Sequence, residues 1–214
     1  MVIREAKQAI IEAGRSLHRQ GMTAGAAGNL SIRLEDGRIL ITASGVAKGD
    51  LTEEQVLLID AEGRVLEGTG RPSTETPMHL AIYRRLPHVG AVVHAHPIHA
   101  TALAVTHTPL PTDSLPEALF ALGSVPLLPY LPPGPELGEA VARALDDGDG
   151  ALLLNHGAVT IGREMAGALG KMEVLESLAQ IAIASRALGP QVPLPPAEVE
   201  RIRTIWRSRR QAPQ

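Results

Sequence analysis

The chain predicts an α/β fold, a mixed sheet covered by helices in a single domain over residues 1–214. Three observations predict it. Helical and strand-like hydrophobic periods interleave along the chain. Several strand-like runs are joined as hairpins rather than only through helices. With 214 residues, 44% of them hydrophobic, the chain can bury a sizeable core without disulfides or other staples.

Residues 3–20 read as an amphipathic helix, because Ile3, Ala6, Ile10, Ala13 and Leu17 recur at spacings of three and four, with Gly21 as its stop. A small-residue loop, Gly25 to Asn29, leads into a strand at Leu30–Arg33. Asp36-Gly37 turns this run into Arg38–Thr42 as a hairpin. After a second loop, Ala43–Val46, the runs Val56–Asp60 and Arg64–Glu67 flank Ala61-Glu62-Gly63 as another hairpin. A helix is predicted over 74–86, capped by Ser73 or Thr74, with Pro77 tolerated in its first turn and Met78, Ile82 and Leu86 as its buried stripe. Val89–His96 reads as a strand ended by Pro97, followed by a helix over Ile98–Val105. The proline-rich stretch 107–135 reads mostly as loop with a short strand near Val125–Leu128. Then come a helix over Glu136–Leu145, strands at Ala151–Leu154 and Ala158–Ile161 around Asn155-His156-Gly157, a long helix over Met165–Leu188, and a last helix over about 197–208.

Composition excludes whole classes of function. With no cysteine there is no disulfide, thiolate nucleophile, Fe–S cluster or cysteine zinc site, so a metal here must use His, Asp or Glu. A net charge of −3 and 2% aromatic residues leave neither a basic stripe nor a stacking platform for nucleic acid. No run reaches the roughly 18 uninterrupted apolar residues of a membrane span, and the N-terminal residues hold no apolar signal core. The expected location is the cytoplasm, with no membrane partner.

His94 and His96 are the sharpest chemical feature. Residues i and i+2 of a strand point to one face, so two imidazoles can converge on one ion. Zinc needs three or four such ligands at about 2 Å. His156, at a strand end before Gly157, is the candidate third. Among the other histidines, His18 and His88 read as surface residues, His79 as a packed core residue, His99 as a structural residue that could extend the metal site, and His107 as a loop residue. Gly28-Asn29, Ser44-Gly45 and Ser73-Thr74 lie in loops that offer backbone N–H groups and short hydroxyls, which suits a phosphate, although the same residues also make ordinary turns. Glu75, at a helix start, suits an N-terminal cap or, beside a metal, proton transfer.

In order along the chain, Gly28-Asn-Leu-Ser31, Thr42-Ala-Ser-Gly45, Pro72-Ser-Thr-Glu-Thr-Pro-Met-His79, Val92-Val-His-Ala-His-Pro97 and Leu154-Asn-His-Gly157 resemble the class II sugar-phosphate aldolase and epimerase family, closest in pattern to its L-fuculose-1-phosphate aldolases. The resemblance runs from the first helix to about residue 188. It implies a three-layer α/β/α domain with a mostly antiparallel central sheet, adducin-like in fold, and a homotetramer with active sites at subunit interfaces. It implies Zn²⁺, one per chain, on His94, His96 and His156, with Co²⁺ or Mn²⁺ as other occupants. Glu75 matches the acid/base carboxylate, and Gly28, Asn29, Ser44, Gly45, Ser73 and Thr74 match the pocket for the substrate phosphate.

The activity so implied is reversible cleavage of a ketose 1-phosphate to dihydroxyacetone phosphate and an aldehyde, by Lewis-acid rather than Schiff-base chemistry. Pentulose-5-phosphate 4-epimerase and methylthioribulose-1-phosphate dehydratase are the alternatives on the same metal site, and a non-catalytic adducin-like assembly module is a third. The chain departs from the pattern on the aldehyde side. Leu115 stands where fuculose-phosphate aldolases carry a tyrosine, the tail Trp206-Arg-Ser-Arg-Arg210 lacks a second one, and the only tyrosines are Tyr83 and Tyr130. Asp113, in the altered segment, is a candidate replacement.

Overall fold

The structure, a computed structural model, describes residues 2–211. Its helices are α1 (Ile3–Arg19), α2 (Thr76–Arg85), α3 (Ile98–Val105), α4 (Pro116–Leu122), α5 (Pro135–Ala144), α6 (Met165–Ser185) and α7 (Pro196–Gln211). Its strands are β1 (Asn29–Arg33), β2 (Ile39–Thr42), β3 (Val56–Ile59), β4 (Val65–Glu67), β5 (Ala91–Ala95), β6 (Leu127–Leu128), β7 (Gly150–Leu153) and β8 (Gly157–Gly162). The strands form one sheet in the order β4-β3-β2-β1-β5-β8-β7-β6.

The sheet is mixed. The hairpin-linked strands and the β1–β5, β5–β8 and β7–β8 pairs run antiparallel, but β6 lies parallel to β7. The expectation of a mostly antiparallel sheet is therefore corrected to a mixed one, and the reason is the connection. β6 reaches β7 through α5, and a helical crossover returns the chain in the same direction.

Strand alternation sorts side chains onto two cores. Leu30, Ile32, Leu40, Leu58, Val93 and Leu152 pack with Ile10 and Leu17 of α1, Leu103 of α3, Leu122 of α4 and Leu175 of α6. Their neighbours Ile39, Ile41, Leu57, Val92, Leu153 and Val159 pack with Met78 and Ile82 of α2 and Val141 of α5. Helices thus cover both faces, giving three layers. Fully burying one such aliphatic side chain contributes about 1.5–3 kcal/mol, so these two sets dominate the folding energy. Among the described residues no helix is long and apolar enough to cross a membrane.

Local differences from the predicted elements have physical causes. α2 begins at Thr76 rather than 74, because Ser73 and Thr74 belong to the turn before it. α4 was not predicted in the proline-rich stretch; Pro116 occupies a first-turn position, where its missing N–H does no harm, and Ala118, Leu119 and Leu122 are buried. α6 stops at Ser185, earlier than 188, and α7 is longer than 197–208 at both ends.

Candidate functional site

β5 carries His94 as its fourth residue, on the same face as Val92 and therefore toward α2. His96 follows one residue beyond the strand end. β8 pairs with β5 in a register that sets His94 opposite Val159 and Ala95 opposite Ala158, so the turn carrying His156 arrives beside them. In that turn Asn155 takes a left-handed conformation, φ 54°, and the His156 N–H bonds to the Leu153 carbonyl at 3.1 Å. Gly157 is required by proximity. A Cβ there would lie 2.5 Å from the Ala95 carbonyl oxygen and 2.6 Å from the His96 ring.

The three imidazoles converge, with ring centroids 4.8, 5.0 and 5.1 Å apart. One nitrogen from each forms a donor set within 4.8 Å, and His94 Nε2 and His96 Nε2 stand 3.2 Å apart. His94 Nδ1 donates to the Ala158 carbonyl at 3.0 Å, which makes Nε2 the nitrogen that faces the cluster. Burial pushes the His96 imidazole down to about 4 and lowers His156 as well, so both keep lone pairs at neutral pH.

Glu75 closes the group. Its Oε2 lies 3.0 Å from His94 Nε2 and its Oε1 3.2 Å from His156 Nε2. Burial pushes this carboxyl up, but the His94 and His156 rings and the Asn29 amide outweigh it and hold the carboxyl well below the usual range. Glu75 occupies the position just before α2 without a side-chain capping bond, which removes the cap reading. Its buried Oε1 has no hydrogen-bond donor. Three imidazoles and a buried carboxylate converging at these distances are a donor set that could hold a divalent cation. Donors at about 2.0–2.1 Å around a tetrahedral ion are about 3.3 Å from one another, close to the 3.0–3.2 Å seen here.

The loops assemble around the same carboxylate. Asn29 Nδ2 donates to Glu75 Oε2 at 2.8 Å and to Ser73 Oγ at 2.9 Å. The Glu75 N–H donates to Ser73 Oγ at 3.2 Å. Ser44 N–H bonds to the Arg71 carbonyl at 2.8 Å, and Ala43 bridges to Pro72, so the second and third loops run side by side. Gly28, at φ 76°, lies against β5, where a Cβ would sit 2.7 Å from the His94 carbonyl oxygen. Ser44, Gly45 and Thr74 are exposed, and among the described residues neither Gly45 nor Thr74 hydrogen-bonds to the cluster.

Behind Asn29 stands a buried polar chain that sequence reading did not assemble. His79 Nε2–H donates to Asn29 Oδ1 at 2.5 Å, the Ser31 hydroxyl donates to His79 Nδ1 at 2.6 Å, and the Tyr83 hydroxyl donates to Ser31 Oγ at 2.7 Å. The direction follows from its end, since the Glu75 carboxylate only accepts, the Asn29 NH₂ must face it, and Asn29 Oδ1 must then face a donor. His79 is pushed down to about 3 by burial and is neutral, as this arrangement requires. The signal was in the spacing: Asn29 and Ser31 two apart on a strand, and Glu75, His79 and Tyr83 four apart along a helix.

Other candidates fall elsewhere. His99 Nδ1 donates to Glu176 Oε1 at 2.8 Å, fixing the start of α3 to α6. His88 accepts from Arg210 Nε at 3.0 Å, and His18 and His107 are exposed. Asp113 makes no hydrogen bond to the cluster among the described residues; its backbone carbonyl accepts from Leu194 N–H. Tyr83 is buried in the chain behind Asn29, and Tyr130 is exposed.

Comparison with known proteins bears on this geometry. Residues 8–183 match the family described as the class II aldolase and adducin N-terminal domain. The chain is 36% identical to a 3-oxo-tetronate 4-phosphate decarboxylase of Haemophilus influenzae, over 82% of this chain and 85% of that one. It is 36% identical to an L-fuculose phosphate aldolase of Escherichia coli, over 86% of each chain. The crystal structure of YgbL from Escherichia coli superposes with a TM-score of 0.88 at 31% identity, covering 95% of this chain and 100% of that one.

Proposed function

The chain belongs to the class II aldolase and adducin N-terminal domain family, and on that premise we propose that it is a zinc-dependent carbon–carbon lyase acting on a phosphorylated ketone. One observation carries the reading. Glu75 touches His94, His156 and Asn29, and Asn29 touches Ser73, so metal ligands, proton acceptor and phosphate loops form one bonded unit.

His94, His96 and His156 would hold the ion, with Glu75 within reach of it. When bound, a divalent ion there supplies a Lewis acid that polarises a carbonyl oxygen. The remaining steps belong to the chain. Gly28, Asn29, Ser44, Gly45, Ser73 and Thr74 hold the substrate phosphate, and this remote binding fixes the reacting carbons beside Glu75. Asn29 keeps Glu75 Oε2 occupied, which leaves Oε1 as the oxygen that faces the substrate and exchanges the proton. The surrounding histidine rings are buried or half-buried, which keeps water from competing for that proton.

The first reading is cleavage of a ketose 1-phosphate of the L-fuculose 1-phosphate type to dihydroxyacetone phosphate and an aldehyde. The enzyme would work as a tetramer in which a neighbouring subunit completes the aldehyde side. A second reading is decarboxylation of a 3-oxo acid phosphate, as the name of the Haemophilus relative describes for that protein. A specific observation favours it: neither tyrosine stands at the cluster, and loss of CO₂, unlike release of an aldehyde, requires no group to take a proton from a substrate hydroxyl. Both reactions leave the same enediolate, which one proton turns into dihydroxyacetone phosphate.

The test is to offer zinc-loaded protein L-fuculose 1-phosphate and 3-oxo-tetronate 4-phosphate and to measure dihydroxyacetone phosphate, aldehyde and CO₂. Dihydroxyacetone phosphate with aldehyde supports the first reading, and with CO₂ the second. Formation of none from either substrate overturns both.

A further inference from the structure

The chain has three lysines, and two of them are paired with acids. Lys7 Nζ lies 3.1 Å from Glu67 Oε1, and Lys171 Nζ lies 2.7 Å from Asp149 Oδ2. Lys48 is different. Only 1% of it is exposed, and it is the largest of the fully buried side chains. Among the described residues no carboxylate lies within ion-pair distance of its ammonium. Instead Nζ donates to two backbone carbonyls, Ala26 at 3.1 Å and Val46 at 2.7 Å. A fully buried lysine without an acid is rare, because taking an ammonium out of water is expensive. Burial lowers this one to about 8, and it remains mostly charged near neutrality.

The two carbonyls have a definite place. Ala26 lies in the loop that runs into Gly28 and Asn29, and Val46 in the loop that carries Ser44 and Gly45. Ala24, Gly25 and Ala26 of the first loop and Ser44 and Gly45 of the second are exposed, whereas Lys48 is buried beneath them. At about 3.8 Å per residue, chain connectivity keeps the ammonium, 2.7 Å from the Val46 carbonyl oxygen, within about 10 Å of Gly45. That is close to the screening length of about 8 Å in physiological salt. Neither loop has a cationic side chain of its own; Arg71, on the third loop, is exposed.

Resting on the phosphate-loop reading above, we propose that Lys48 is a positioning residue for a phosphate dianion: its buried, acid-free ammonium ties the 24–28 and 43–47 loops together and supplies the positive charge those loops lack. The dianion completes the balance that the folded chain leaves open. A hydrogen-bonding strut alone would not need a charge, since a neutral amide also donates to carbonyls.

The experiment uses Lys48→Met and Lys48→Gln in the zinc-loaded protein. The first removes charge and donors, and the second keeps a donor without the charge. Binding of methyl phosphate and methyl sulfate is measured by calorimetry near pH 7. The two ligands have nearly the same shape, but the phosphate ester, with a second pKa of about 6, carries close to two charges and the sulfate ester one. A charge acting at this range should weaken methyl phosphate about tenfold and methyl sulfate about threefold in both variants, with zinc content unchanged. Equal losses on the two ligands, or full recovery in Lys48→Gln, would mean a loop strut only and overturn the proposal. Unchanged binding of both ligands would overturn it while leaving the phosphate loops in place. Wild-type protein that binds neither ligand would overturn the phosphate-loop reading and this inference with it.

Discussion

Replacing Glu75 by Gln tests whether this carboxylate moves a proton. The side chain makes no helix cap, so no capping energy is lost. The Asn29 Nδ2 bond at 2.8 Å becomes neutral–neutral instead of charge-assisted, a loss of about 1 kcal/mol. Relief from burying a carboxylate opposes that loss. Folding should therefore stay within about 1 kcal/mol, and the melting temperature within about 2–4 °C for a chain of this size. The substituted amide has one orientation open to it. Asn29 needs an acceptor at the Oε2 position, so the new NH₂ takes the Oε1 position, 3.2 Å from His156 Nε2. Proton transfer is lost at the oxygen assigned to it, and general acid/base losses run to about 10²–10⁴ in rate. The assay follows exchange of the hydroxymethyl protons of dihydroxyacetone phosphate in deuterated water, a step that involves no aldehyde and no CO₂. Zinc and melting temperature are read on the same sample. Exchange slowed at least a hundredfold (about 10²) at normal zinc is the expected result. Exchange at the wild-type rate would refute the assignment, and a loss that follows zinc content in proportion would make Glu75 a metal-retaining group instead.

Three further outcomes are expected. His156→Ala removes one of three converging nitrogens, so metal content measured by mass spectrometry should fall well below one ion per chain, and full activity after exhaustive chelation of the wild type would contradict the metal centre. Gly157→Ala drives a Cβ into the Ala95 carbonyl and the His96 ring; it should cost about 1–3 kcal/mol in urea unfolding and weaken zinc retention, and a variant with normal stability and zinc would show that the turn is not close-packed. His79 sets a pH dependence of stability. Its ring binds a proton near 6.5 when unfolded but only near 3 when folded, so its contribution is fully present above about pH 6.5 and is lost as pH falls toward 3. His79→Leu should flatten the stability slope between about pH 6 and 4 by up to one proton, about 1.4 kcal/mol per pH unit, and an unchanged slope would exclude a buried neutral ring.

How much of this was legible in the sequence depends on the range of each interaction. The α1 stripe, the hairpins around Asp36-Gly37 and Glu62-Gly63, and the shared face of His94 and His96 depend only on local period and turn chemistry, and they could be read from neighbouring residues. The same locality explains what was missed. α4 is held by burial of Ala118, Leu119 and Leu122, which overrides the prolines around it, and the parallel β6–β7 pair depends on where α5 crosses the sheet. The site itself spans larger separations. His156 reaches His94 only because β8 pairs with β5, Asn29 reaches Glu75 only because β1 lies under α2, and the Tyr83–Ser31–His79 chain exists only once those two elements are stacked. Lys48 is the plainest case. Nothing in its sequence surroundings distinguishes it from Lys7 or Lys171. Its burial and its lack of an acid partner arise when two loops and α1 close over it. Sequence by itself determined which residue types could meet, because strand and helix periods are local. Tertiary structure decided which of them do, because contacts across the sheet are set by register and by the packing of distant segments.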